Sequence, residues 1–242
     1  MVAIRTEGLT KKYKDIVAVD RLDLTVNRGE ILSLLGVNGA GKTTTVKMLS
    51  GLTRPTAGDA YLNGKSVVNE PGAVKSIIAV SPQETAVARG LTVRENLELI
   101  CGVHGFSREK REARIMAVSK QLELDTVLRK KAGKLSGGWQ RRLSIAMALI
   151  TDPEILFLDE PTLGLDVLVR SDLWEIIRGL KGKVTVILTT HYMEEAEALS
   201  DRVAIMKDGK LLLCATVEEI KKTAETDSFE QAFIRIARGV EK

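Results

Sequence analysis

The sequence is short of several things, and each shortage excludes something. Its 242 residues include only two cysteines, Cys101 and Cys214. They form neither a CxxC pair nor a metal-ligand spacing, so both read as reduced thiols of a cytosolic chain. Long apolar runs are missing. The longest, Ile145 to Ile150, is six residues, far below the ~20 that a membrane span needs. The N-terminus carries Arg5, Glu7 and a Lys11-Lys12-Tyr13-Lys14 cluster instead of the apolar core of a signal peptide. Any membrane role must therefore come through a partner. Charge of one sign is lacking too: 36 basic residues face 32 acidic ones, for a net charge of +4. With no basic block, no nucleic-acid partner is expected. There is no internal repeat and no low-complexity linker.

What is present suits a folded α/β domain. Hydrophobic residues make up 44% and charged residues 28%, the balance of a globular chain. Apolar or alternating stretches at Val2–Leu9 and Ile16–Val26 lead to a turn at Asn27-Arg28-Gly29-Glu30. Ile31–Leu35 reads as a short buried strand, and the segment after Lys42 as a helix to about Leu52, stopped by Gly51 and Pro55. Asp59–Leu62 and Lys65–Val68 flank Asn63-Gly64, a hairpin signal. Ser76–Val80 is a further strand. From about residue 86 to 135 the chain is charged and helical in pattern, an insertion into the α/β core. Strand signals return at Ile155–Leu158, Val184–Thr189 and Val203–Met206. Strands alternating with helices predict a mostly parallel central sheet after an N-terminal antiparallel region. Residues 1–220 form one domain in this reading, and 221–242 a C-terminal helical tail.

Gly36-Val37-Asn38-Gly39-Ala40-Gly41-Lys42-Thr43 fits the pattern G-x-x-x-x-G-K-[ST], between a strand and a helix as that motif requires. Glycines let the backbone curl so that successive N–H groups point at phosphate oxygens. The helix that follows offers its positive end to the same anion. Lys42 is placed to reach the β- and γ-phosphates, the Thr43 hydroxyl to ligate Mg²⁺, and Thr44 to close the cradle. Further on, Ile155–Leu158 is an apolar strand ending in Asp159 and Glu160. Such a strand delivers carboxylates to the edge of a parallel sheet where ligands bind. Asp159 is suited to hold Mg²⁺ opposite Thr43, and Glu160 to polarise and orient an attacking water.

Leu135-Ser136-Gly137-Gly138-Trp139-Gln140 resembles the signature sequence of ATP-binding cassette (ABC) ATPases. It stands after the phosphate loop and before the Asp-Glu strand, as in that family. The resemblance spans roughly residues 2 to 220 and implies a P-loop NTPase fold that binds and hydrolyses ATP with Mg²⁺. It also implies further roles. Tyr13 matches the aromatic that stacks on adenine. Gln83 matches the glutamine that senses Mg²⁺ and the membrane partner. Gly164-Leu165-Asp166 matches the loop joining two protomers, and His191 the switch histidine at the γ-phosphate. Ser136 with Gly137 and Gly138 would bind the γ-phosphate held by the opposite protomer. Two chains would then sandwich two ATP molecules head to tail, peripheral to the cytoplasmic face of the cell membrane through integral membrane subunits.

Two positions depart from the family pattern. Trp139 stands where Gln is usual, and an indole cannot accept a hydrogen bond. Leu163 stands where a smaller residue is common. Within the family, Thr190-His191-Tyr192-Met193-Glu194-Glu195-Ala196-Glu197 is similar to export subunits of the drug-, antibiotic-, lipid- and sodium-efflux type. Ser228-Phe229-Glu230-Gln231-Ala232-Phe233 is similar to the end of those subunits. The alternative is a soluble ABC ATPase acting on ribosomes or DNA. Such members usually pair two cassettes in one chain or split one around a long coiled coil, whereas this sequence has one cassette and no heptad run. A nucleotide-binding regulator without turnover is disfavoured by Lys42, Asp159, Glu160 and His191. A GTPase or kinase is disfavoured by the lack of N-K-x-D and H-R-D segments.

Overall fold

The computed structural model describes residues 1–239; the last three residues of the expected C-terminal tail lie outside the described residues. Two sheets organise the chain. The smaller is antiparallel and holds β1 (Val2–Tyr13), β2 (Ile16–Leu22), β3 (Thr25–Asn27), β5 (Ala57–Leu62) and β6 (Lys65–Ser66). The larger runs in the order β11-β10-β4-β9-β8-β7. These are β4 (Ile31–Leu35), β7 (Ile78–Ser81), β8 (Ile155–Asp159), β9 (Thr185–Thr190), β10 (Arg202–Lys207) and β11 (Lys210–Ala215). Every pair in it is parallel except β10 with β11. Consequently the loops after β4, β7, β8 and β9 open on one edge.

Period-two patterning builds the core on both faces of the parallel strands. Leu32, Leu34, Ile155, Phe157 and Ile187 pack toward the antiparallel sheet and α1 (Lys42–Leu49), meeting Ile4, Leu62 and Val46. Their neighbours Leu156, Leu158, Val186 and Leu188 pack the other way, with α5 (Gly137–Leu149) and α6 (Val167–Arg178), against Leu143 and Leu173. Between β7 and β8 the chain is helical, with α3 (Val93–Val103) and α4 (Arg108–Gln121) preceding α5. Thr92 starts α3 with a reciprocal capping box to Glu95, which satisfies two otherwise orphan donors. After α7 (Met193–Leu199) and the last strands, α8 (Val217–Thr223) and α9 (Phe229–Arg238) pack Ile220, Phe229 and Phe233 against Leu35, Val203 and Ile205.

Three features differ from the sequence reading. The stretch Ile16–Val26 is two strands, because β2 bends away after Arg21, whose φ is 45°, and β3 crosses to pair with the start of β1. The helix α2 (Pro71–Lys75) starts on a proline, whose fixed φ suits a first helical turn. The sheet also gains the edge strand β11. Its turn, Asp208-Gly209 with φ of 48° and 77°, is the Asp-Gly hairpin signal.

Glu195 on α7 is fully buried and accepts hydrogen bonds from Thr162 Oγ1 at 2.8 Å and Trp174 Nε1 at 3.2 Å. It thereby ties α7 to α6 and to the loop after β8. Its Oε2 has no partner among the described residues, and burial raises its pKa above the usual 4.5, against the hydrogen bonds that lower it. A carboxyl whose folded pKa lies above its unfolded one stabilises the fold below the unfolded value and loses that contribution as pH rises toward the folded one. Glu195→Gln keeps the acceptor for Thr162 and Trp174 and cannot ionise. Denaturant titrations should therefore show the wild type losing stability relative to the Gln variant as pH climbs above 4.5, and parallel pH profiles would contradict this account.

Candidate functional site

The loop after β4 carries Gly36 through Thr43. Gly41 holds φ at 102°, and a Cβ there would stand 2.6 Å from the Ala18 carbonyl of β2. The strap of β2 therefore lies directly over the loop, and only glycine admits that approach. Lys42 is buried and its Nζ donates to the carbonyls of Gly36 at 2.6 Å and Val37 at 3.2 Å. Desolvation lowers its pKa, opposed by Glu160 and Asp159. A desolvated ammonium facing an open cleft gains from an incoming phosphate more than a hydrated one would.

The other groups arrive from the neighbouring parallel strands. Asp159 Oδ1 accepts from Thr189 Oγ1 and, at 3.5 Å, from Thr43 Oγ1. Glu160 is held from two sides: Gln83 Nε2 donates to Oε2 at 3.4 Å, and His191 Nδ1 lies 3.2 Å from Oε1. His191 is itself packed on Tyr192, ring centres 4.1 Å apart. The cleft has a volume of about 860 Å³ and runs from Tyr13 past Asn38 to Gln83 and His191. Tyr13 stands half exposed at its mouth with Lys11 Nζ 5.0 Å from its ring centre. The cleft thus has an aromatic end, an amide-and-amine middle and a carboxylate end, which suits a nucleoside triphosphate and an in-line water.

Among the described residues there is no cluster of three or more His, Cys, Asp or Glu able to cage a metal. The oxygen donors at hand are the Thr43 hydroxyl, the Asp159 and Glu160 carboxylates and the Gln83 amide. That sparse, hard set fits Mg²⁺, which keeps waters and shares substrate phosphates instead of filling an all-protein cage.

Ser136, Gly137, Gly138 and Asp166 are not in this cleft. Ser136 is the residue before α5, exposed, and its hydroxyl makes no capping bond. Asp166 caps α6, accepting from Val169 N at 3.0 Å. Trp139 packs into the helical core, with the Arg142 guanidinium 5.1 Å from its ring centre. Some lining residues escaped the sequence reading. Ile16, Val17 and Ala18, close to Tyr13 in sequence, and Asp208 also line the cleft. Their only signal was adjacency to Tyr13 and to the Asp-Gly turn. Thr189, which orients Asp159, was visible only as a neighbour of His191. Replacing Lys42 by Ala should remove nucleotide binding while leaving the fold intact. A fluorescent nucleotide titration would show it as roughly a hundredfold or greater weakening, on the scale of a buried charge-assisted contact; unchanged affinity would remove Lys42 from the site.

Comparisons with known proteins identify the family. The family described as ABC transporter matches residues 19–163. The chain is 44% identical over 225 residues to the daunorubicin resistance ATP-binding protein DrrA3 of Streptomyces coeruleorubidus, covering 93% of this chain and 71% of that one. It is 40% identical to the doxorubicin resistance ATP-binding protein DrrA of Mycobacterium tuberculosis, covering 92% and 68%. A solved ATP-binding cassette, dimeric in a post-hydrolysis state with ADP and phosphate, superposes with a TM-score of 0.78 at 28% identity, covering 88% of this chain and 98% of that one. A family match over residues 19–163 and relatives 40% to 44% identical across more than nine tenths of its length show that this chain belongs to the ABC transporter family, as an ATP-binding, ATP-hydrolysing subunit.

Proposed function

We propose that the chain powers an exporter of drug-like or lipid-like molecules, with Lys42, Glu160 and His191 as its catalytic groups. The observation that carries the chemistry is the convergence of Gln83 and His191 on the Glu160 carboxylate, opposite Lys42 and Thr43. In this reading Tyr13 stacks on adenine. The backbone from Gly36 through Gly41, with Asn38, Gly39 and Ala40, cradles the phosphates together with Thr43 and Thr44. Mg²⁺, held by Thr43 and Asp159 with Gln83 nearby, would neutralise charge on the phosphates. Glu160 orients the attacking water and accepts its proton, and His191 fixes the carboxylate and faces the γ-phosphate.

The same reading requires a second copy or a homologous subunit. Ser136, Gly137 and Gly138 lie outside the cleft, so their helix end completes the ATP site of the other protomer, joined through Gly164, Leu165 and Asp166. Closure then depends on contacts that exist only with the γ-phosphate present, and hydrolysis releases them. The solved cassette that is dimeric with ADP and phosphate supports this arrangement. Residues 1–220 act as one cassette, with 86–135 as its helical arm, 221–242 as its tail, and α8 and α9 packed against β4 and β10.

No helix among the described residues is long and apolar enough to cross a membrane; in this reading coupling goes through integral membrane subunits. A groove of about 350 Å³ beside the Gln83 loop, lined by Ile78, Pro82, Ile100, His104 and Met147, supports such docking. Leu99 and Val103 on α3 are exposed near it. The drug-resistance names of the relatives support export over import.

Two measurements test this reading. Glu160→Gln should keep ATP binding, lose about a hundredfold or more of turnover, and accumulate as an ATP-bound dimer in gel filtration. Wild-type phosphate release in that variant would remove Glu160 from its role. Tagged chain drawn from native membranes in mild detergent should bring down a polytopic membrane protein that stimulates ATP turnover. Recovery of ribosomal or DNA-bound proteins instead would overturn the transporter assignment of this particular chain.

A further inference from the structure

A guanidinium has five N–H donors in a fixed plane, and in Arg141 all five are matched to backbone carbonyls. Nε donates to Pro161 O at 2.7 Å. Nη1 donates to Pro82 O and to Gln83 O, the latter at 3.3 Å. Nη2 donates to Asp159 O at 2.7 Å and Glu160 O at 2.6 Å. The side chain is 4% exposed. No carboxylate is in direct contact with it among the described ion pairs. Burial pushes its pKa down to about 10, while Asp159, Glu195 and Glu160 act from a distance to hold the charge. A buried cation solvated by carbonyl dipoles alone resists any movement that takes those dipoles away.

The carbonyls belong to two stretches at the ends of adjacent parallel strands, the loop after β7 and the end of β8 with the loop after it. One carries Gln83, the other Asp159 and Glu160. Glu160 has φ of 46°, a left-handed conformation that persists in a non-glycine residue only when its surroundings hold it. Its N–H donates to Thr189 O at 3.1 Å and lies 3.0 Å from Thr189 Oγ1, so β9 grips one side of the residue and Arg141 the other. Arg141 itself sits one turn into α5, four residues after Gly137.

We propose that Arg141 is a positioning residue for hydrolysis, which ties the helix behind Ser136-Gly137-Gly138 to the backbones of Gln83 and Glu160 so that the water-orienting carboxylate is aimed when that helix is engaged. This rests on the assignment of Glu160 as the group that activates water. Arg141 does not line the cleft. It acts by fixing the main chain from which the acting side chains project, and a displacement of α5 reaches both loops through one rigid group.

The test uses the purified full chain and ATP. Lys supplies only three donors from one atom and cannot span five carbonyls. Arg141→Lys should lower kcat by about tenfold and Arg141→Met by about a hundredfold, the range for a misaimed catalytic group, with KM for ATP within about threefold of wild type. If Arg141→Met does not fold, the Lys variant carries the readout. The decisive comparison adds Arg141→Lys to Glu160→Gln and follows residual radiolabelled phosphate release. A residue that acts through the Glu160 carboxylate costs little more once that carboxylate is gone. An equal cost in both backgrounds, a KM that rises in step with the fall in kcat, or wild-type kcat in a folded Arg141→Lys overturns the proposal. Wild-type turnover in Glu160→Gln alone overturns the site assignment and the proposal with it. Loss in Glu160→Gln with none in Arg141→Lys leaves the assignment standing and removes only Arg141.

Discussion

The backbone at Glu160 turns through the left-handed region, and much of the site is arranged to keep it there. A residue with a side chain pays conformational free energy at such a φ, of order 1–3 kcal/mol. Thr189 holds its N–H, Arg141 its carbonyl, and Gln83 and His191 its carboxylate. These four partners come from β9, α5, the loop after β7 and the loop after β9. Holding one residue from four elements makes its aim depend on all of them.

Parallel pairing explains why those elements meet. In the order β10-β4-β9-β8-β7 every strand runs the same way, so each loop leaves from the same edge. The phosphate loop follows β4, Gln83 follows β7, the carboxylate pair ends β8 and His191 follows β9. Distant stretches of sequence thus become neighbours without any long connection crossing the cleft. The antiparallel sheet adds the one piece the parallel edge lacks. Its β1 ends at Tyr13, and β2 lays Ala18 over Gly41, so the aromatic end and the glycine-loop end of the cleft are built by different sheets on a shared core.

The signature region shows the same economy with a different outcome. Trp139 departs from the family pattern, and its indole turns into the helical core under Arg142. Arg142 in turn pairs with Glu123 and, at 3.2 Å, with Asp172. The bulky residue strengthens the seat of α5 in the helical arm. Ser136 and Gly137 stay exposed at the helix end, and Gly138 packs so tightly that a Cβ would meet Val169 at 2.3 Å. That contact explains the glycine on packing grounds alone, independently of any phosphate.

The sequence by itself determined the ATPase class and the mostly parallel sheet after an antiparallel start. Glycine spacing around Lys42, the apolar run ending in Asp159-Glu160, and the alternation of short strands with helices are local signals, and local physics reads them. It also holds the Asp208-Gly209 turn that announces β11, a weak signal because the strand beyond it is at an edge and only half buried. What only the tertiary structure decided is which backbone atoms meet. Every residue has the same carbonyl, so nothing in the letters marks Pro82, Gln83, Asp159, Glu160 and Pro161 as the five acceptors of one arginine. Thr189 orienting Asp159, and Glu195 bridging Thr162 to Trp174, are likewise contacts between residues about 21 to 33 positions apart. Their partners are chosen by strand order and helix packing, which a linear pattern does not contain.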